Sequence, residues 1–142
     1  MIHSIKEWFE VAKPNPSTAD VCVQLGCHYE EVAEMANALW DSEVHESAEN
    51  AANNYKDAND FFTLFLGDLT ECQRIQLLDA LCDQIVTAVG VAYMLGMDIE
   101  GALAEVNRSN WSKFEGGVPV FNEQGKIAKG VQYTPPELSD YI

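Results

Sequence analysis

Positive charge is what this chain has least of. Only eight of its 142 residues are Lys or Arg, against 23 Asp and Glu, a formal net charge of −15 at pH 7. A chain so acidic is repelled by phosphodiester backbones and anionic lipid, so no nucleic-acid or membrane partner is expected. Cysteine is sparse and poorly spaced. Cys22, Cys27, Cys72 and Cys82 form no C-x-x-C pair, which argues against zinc and for free thiols in a reducing compartment. No histidine follows a glutamate by three residues, so the Glu-x-x-His of a carboxylate-bridged di-iron site is missing. No apolar run reaches 18 residues without a charge, and the first ten residues lack a signal-peptide layout. Both point to a soluble, cytoplasmic protein. Internal repeats and low-complexity tracts are not evident.

What is present is apolar and helical. An apolar fraction of 47% in 142 residues can build a real core, and the length suits one domain spanning residues 1–142. Residues 3–12 are expected to form a short amphipathic helix ending before Pro14 and Pro16. Pro16 at a first helical position would open a long helical stretch to about Asn50, irregular near Gly26. A shorter helix is expected over Asp57 to Leu66. Thr70 and Gln73 have the spacing of a capping box, and Gly96 suits the far end of the helix they open. Another helix follows from about Asp98 to Lys113. Four or five helices in all predict an all-α bundle over residues 1–113. The remaining 29 residues, from Phe114, hold four Gly and three Pro and read as an arm, with a short hairpin at Val118 to Ile127.

Charge is uneven along this frame. From Glu105 onward four basic residues face five acids, whereas the preceding 104 residues carry four basic residues and 18 acids. Within that acidic body, "LLDALCDQIVTAVGVAYMLG" (residues 77–96) is the most apolar run and yet contains Asp79 and Asp83. Four residues apart, they stack on one face of a helix with Gln76, Thr87 and Gly90, flanked by Leu77, Leu78, Leu81, Ile85, Val86, Val89 and Ala92. A helix so widely apolar is expected to be mostly buried, its acidic seam turned to another helix. Like charges at that spacing repel, and desolvating a carboxylate is costly. Solvent on the seam or a basic partner would answer this, but a divalent cation is the economical answer. "HYEEVAEMANAL" (residues 28–39) supplies a second acidic stripe in Glu30, Glu31 and Glu34. Oxygen-only donors favour Mg²⁺ or Mn²⁺ over zinc or copper. His28 is the histidine nearest the stripe and reads as a solvated or capping residue.

A cation held by carboxylates leaves sites for substrate phosphates, which need positive partners in so acidic a chain. "NRSNWSKF" (residues 107–114) offers Arg108 and Lys113 with Asn107, Ser109, Asn110 and Ser112, and "GKIAKG" adds Lys126 and Lys129. The plainer account is a basic helix end favoured by the macrodipole.

"EEVAE", the acidic pair in an apolar helix, "LGMDIEGALAEVNRSNWSKF" and "GKIAKGVQYTPPEL" together resemble the all-α NTP pyrophosphatase superfamily of MazG-like enzymes, dimeric dUTPases and phosphoribosyl-ATP pyrophosphohydrolase. The resemblance covers roughly residues 3–138, and its latter part is most similar to short phage and bacterial MazG-like proteins. It implies a MazG-like bundle that hydrolyses nucleoside triphosphates between the α and β phosphates, with Mg²⁺ held by E-E-x-x-E and E-x-x-D. On that basis Glu31, Glu34 and Asp83 match metal ligands, and Glu30 matches a group that supports a ligand or orients water. The first acid of E-x-x-D falls on Ala80, so Asp79 is the expected substitute. Lys113, Lys126 and Lys129 would then neutralise pyrophosphate. Asn107, Arg108, Asn110 and Tyr133 belong to the substrate-binding set. Trp8, Phe9, His28, Trp111 and Tyr133 could border a base, with dGTP expected ahead of dUTP or dCTP. Family members work as homodimers or homotetramers whose sites draw on neighbouring chains. The competing expectation is a non-catalytic acidic helical protein that binds a basic partner or mimics nucleic acid.

Overall fold

A computed structural model describes residues 1–123 and 125–142. Among them are six α-helices: α1 (Ile2–Ala12), α2 (Thr18–Ala38), α3 (Ser42–Lys56), α4 (Asp60–Gly67), α5 (Glu71–Met94) and α6 (Ile99–Trp111). A 3-10 turn at Ser139–Tyr141 follows, and among the described residues no strand forms beyond two isolated bridges. The chain is all-α, and its described residues hold six helices where four or five are expected. The residues group into two compact units, one of Met1–Pro14 with Thr70–Ile142 and one of Asn15–Leu69.

In the second unit the expected single stretch to Asn50 is two helices. Trp40 adopts φ 60 and breaks α2 from α3, although neither Gly nor Pro marks the place. Asp41 then caps α3 by accepting from the Val44 N–H at 3.1 Å, which makes a new start there as favourable as continuation. Pro16 does not open α2. Ser17 does, through a capping box in which Ser17 accepts from the Asp20 N–H and Asp20 from the Ser17 N–H. Gly26 lies inside α2 without interrupting it. A Cβ there would sit 2.5 Å from Lys56 Cγ and 2.7 Å from the Ala52 carbonyl oxygen, so its bare backbone sets how closely α2 and α3 cross. Cys22, Ala33, Ala36, Ala48 and Ala52 are buried with it. Tyr29, Tyr55 and Phe62 stack in series from α2 to α4, with centroids 5.6 and 4.8 Å apart.

In the first unit Trp8, Ala12 and Phe114 form the buried cluster, with Trp111 and Ile127 against it. Trp8 stacks on Phe114 at 5.5 Å and donates its indole N–H to the Asn110 carbonyl at 2.9 Å. The Thr70–Gln73 capping box of α5 is formed, and Gly96 turns the chain beyond its end with φ 78. Where the hairpin is expected, Phe121 and Ile127 form an antiparallel bridge, and the Asn122 and Ala128 N–H groups donate to the Lys126 and Val120 carbonyls at 2.9 and 2.7 Å; Gln124, within that span, lies outside the described residues.

One expectation fails. Although α5 carries the long apolar run of residues 77–94, Ala92 is its one buried residue. Ile75, Leu78, Ile85, Val86 and Val89 stand 45–66% exposed. By length and composition alone α5 could also cross a membrane, with a mean hydropathy of 1.4 over 18 residues.

Candidate functional site

The two acidic stripes occupy different units, α2 in the second and α5 in the first. On α2 the buried stripe is Cys22, Gly26, Ala33 and Ala36. A step of 100° per residue turns Glu31 to the opposite side and Glu34 well off the stripe, and both are exposed. Glu30 is half-buried and committed elsewhere: its carboxylate pairs with Lys56 Nζ of α3 at 2.8 Å. Its structural task is thus to tie α2 to α3. His45 adds a second tie, its Nδ1 lying 2.9 Å from the Ala33 carbonyl oxygen.

On α5 Asp79 and Asp83 are exposed rather than facing a helix of the same unit. The Thr87 hydroxyl donates to the Asp83 carbonyl at 2.9 Å, which leaves that side chain's polar atom on the backbone and not on the carboxylate. Among the described residues no three His, Cys, Asp or Glu side chains gather into a group able to hold a metal ion. The donor chemistry suits a hard cation. All four cysteines are free, as their spacing suggested.

The segment expected to meet phosphates mainly clasps the arm. Arg108 chelates Glu105 through two bonds of 2.7 Å, donates to the Thr134 hydroxyl at 2.6 Å and reaches the Pro135 carbonyl at 3.1 Å. Ser109 is buried and donates to the Thr134 carbonyl at 2.8 Å, while Ser112 accepts from the Thr134 N–H at 2.9 Å. Glu105 also accepts from the Glu137 N–H at 3.0 Å. Arg108 and that amide together hold the Glu105 carboxyl down at about 2. Asn107 donates to the Ser4 hydroxyl of α1 at 2.9 Å. Asn110 serves through its backbone carbonyl, as the acceptor for Trp8.

Lysines remain on the arm. Lys129 lies over the Tyr133 ring at 4.8 Å, a cation–π contact that orders both. The backbone N–H of Lys126 donates to the Asn122 side chain at 2.9 Å, and the Lys113 carbonyl accepts from Gly130 at 3.2 Å. Lys13, at the end of α1, stands 4.4 Å over the Phe121 ring of the same arm. The two are 108 residues apart, so no local pattern in the sequence marks the contact. Comparison with protein-family models, with characterised proteins and with solved structures finds no match to any of them.

Proposed function

We propose that the chain is the subunit of a divalent-metal-dependent nucleoside triphosphate pyrophosphohydrolase. The reaction cleaves between the α and β phosphates and releases a nucleoside monophosphate and pyrophosphate. Deoxynucleotides are the proposed substrates, dGTP ahead of dUTP and dCTP. One arrangement of charge supports the reading: two long helices present carboxylates one turn apart, while four of the eight cationic side chains lie from Arg108 onward.

Glu31, Glu34, Asp79 and Asp83 are the proposed holders of Mg²⁺ or Mn²⁺, which would supply charge neutralisation at phosphate oxygens and an acidified water. A carboxylate of the same stripes accepts the proton of the attacking water. Lys113, Lys126 and Lys129 meet the β and γ phosphates as point charges, on an arm that Arg108, Ser109 and Ser112 hold in place. Glu30 supports this machinery through Lys56 rather than as a ligand. The proposed working form is a homodimer or homotetramer. The test is pyrophosphate release from a panel of NTPs and dNTPs with Mg²⁺, with Mn²⁺ and with EDTA. Metal-dependent release of one equivalent per monophosphate formed is expected.

A second reading draws on the exposure of those same acids. Carboxylates that all face solvent also suit a non-catalytic acidic protein that binds a basic partner. Absence of hydrolysis from every nucleotide with either metal would favour it.

A further inference from the structure

Carboxylates hold some cations of this acidic chain, and aromatic rings hold others. Lys6, Lys56 and Arg108 close on Glu10, Glu30 and Glu105 at 2.6, 2.8 and 2.7 Å, and each carboxylate offsets the charge it binds. Lys129 rests on a ring instead, its Nζ 4.8 Å from the Tyr133 centroid. A ring face fixes an ammonium through its quadrupole and leaves the charge uncancelled for an anion. Lys129 is exposed and Tyr133 half-buried, so the ring belongs to the fold while the lysine meets solvent.

The ring stands on a short, closely pinned turn. The Tyr133 N–H donates to the Gly130 carbonyl at 3.1 Å, closing residues 130–133. At the start of the turn the Gly130 N–H donates to the Lys113 carbonyl at 3.2 Å, and the Val131 N–H to the Glu115 carboxylate at 2.9 Å. Just past its end the Thr134 N–H donates to the Ser112 hydroxyl at 2.9 Å, and the Thr134 carbonyl accepts from Ser109 at 2.8 Å. Gly130 has no room for a side chain. A Cβ there would lie 2.7 Å from the Lys113 carbonyl oxygen and 2.7 Å from Glu115 Cγ. The same pin sets Lys129 and Lys113, two of the three proposed phosphate lysines, on neighbouring stretches of backbone.

We propose that Tyr133 is a positioning residue, whose ring, fixed by the Gly130 turn, presents the Lys129 ammonium to the pyrophosphate portion of the substrate. The inference rests on the pyrophosphohydrolase reading for its substrate and adds how that site meets pyrophosphate. A free lysine side chain loses rotamer freedom when an anion captures it. The ring takes up that loss beforehand, so it acts on binding and not on the chemical step. Tyr133 serves through Lys129, and not by bordering a base.

Titration calorimetry of the full chain with inorganic pyrophosphate and Mg²⁺ tests this without requiring hydrolysis. Tyr133→Leu should raise Kd about threefold to tenfold, the effect of ordering one lysine side chain. Tyr133→Phe keeps the ring and should rescue the affinity that Tyr133→Leu loses. Gly130→Ala alters no charge and no ring, yet should raise Kd by a similar factor. Lys129→Ala should weaken binding at least as far, and adding Tyr133→Leu to it should change nothing more. For a nucleotide that the parent hydrolyses, KM should rise with Kd in Tyr133→Leu while kcat stays within about twofold. Far-UV circular dichroism confirms that each variant is folded. A Tyr133→Leu variant that binds as the parent does would overturn the proposal. So would an effect of Tyr133→Leu that persists in full without Lys129, or a parent that does not bind pyrophosphate. Hydrolysis by a parent whose Tyr133→Leu variant binds normally sinks this inference alone. Pyrophosphate binding with the expected dependences, but no hydrolysis of any nucleotide, sinks the hydrolase reading alone.

Discussion

Lys56 closes on Glu30 at 2.8 Å directly above Gly26, whose missing side chain makes room for the Lys56 stem. One glycine and one ion pair thus define the α2–α3 crossing. Both partners are partly shielded, with side chains 22% and 34% exposed, so the pair lies between the surface and buried limits. Lys56→Met should cost about 1–2 kcal/mol, and Glu30→Gln in that background should cost little more.

The glycine carries a sharper expectation. Gly26→Ala drives a Cβ to within 2.7 Å of the Ala52 carbonyl oxygen, backbone that cannot move aside alone. The helices must separate, at about 1–3 kcal/mol. Gly90 of α5 is the control, since an added Cβ there meets nothing within 4 Å. Gly90→Ala should stabilise by up to about 1 kcal/mol through helix propensity alone. Urea melts of the two variants should move in opposite directions.

The arm clasp makes a prediction in pH. Chelation by Arg108, with help from the Glu137 N–H, brings Glu105 from the ordinary 4.5 to about 2. A depressed folded-state value means that the clasp is fully present above the unfolded value and lost as pH falls through the folded one. Amide exchange at Thr134 and Glu137 should therefore stay slow, relative to intrinsic rates, down to about pH 4.5 and quicken between there and pH 2. Arg108→Ala should make those amides exchange fast at every pH. It should leave the core around Trp8 protected. Exchange in the parent that is indifferent to acid down to pH 2 would dismiss the clasp as a pH-dependent element.

How much of this was readable beforehand follows from the range of each interaction. The Thr70–Gln73 box, the Gly96 terminus and the Asp98 start of α6 rest on residues within one turn of each other, and all three are found. The break at Trp40 was hidden, because it depends on Asp41 acting as a cap, and a lone acid in an acidic chain does not announce that role. Arg108 and Thr134, or Glu30 and Lys56, meet only because the chain folds back, 26 residues apart in each case. The exposure of α5 is not legible in the sequence for a different reason. A stripe of Ile, Leu and Val reports that a helix has something to pack against, and is silent on whether that partner belongs to the same chain.

Asp79 and Asp83 stand one turn apart on an exposed face, where like charges cost a helix only a few tenths of a kcal/mol. Asp83→Asn removes that repulsion, so the metal-free variant should melt slightly above the parent at pH 8. If Asp83 and Glu34 hold a cation, Mn²⁺ should raise the melting temperature of the parent with concentration as RT ln(1 + [L]/Kd). Asp83→Asn and Glu34→Gln should each lose most of that rise. Each should also lower pyrophosphate release by about two orders of magnitude, since each removes a ligand charge. Lys113→Ala and Lys126→Ala should weaken triphosphate binding while keeping the Mn²⁺ effect, because an ammonium meets phosphate and cannot ligate a cation. Thermal melts with EDTA and with Mn²⁺ separate the cases. A parent that Mn²⁺ does not stabilise, with variants that hydrolyse as fast as it does, would reduce both stripes to solvated helix faces.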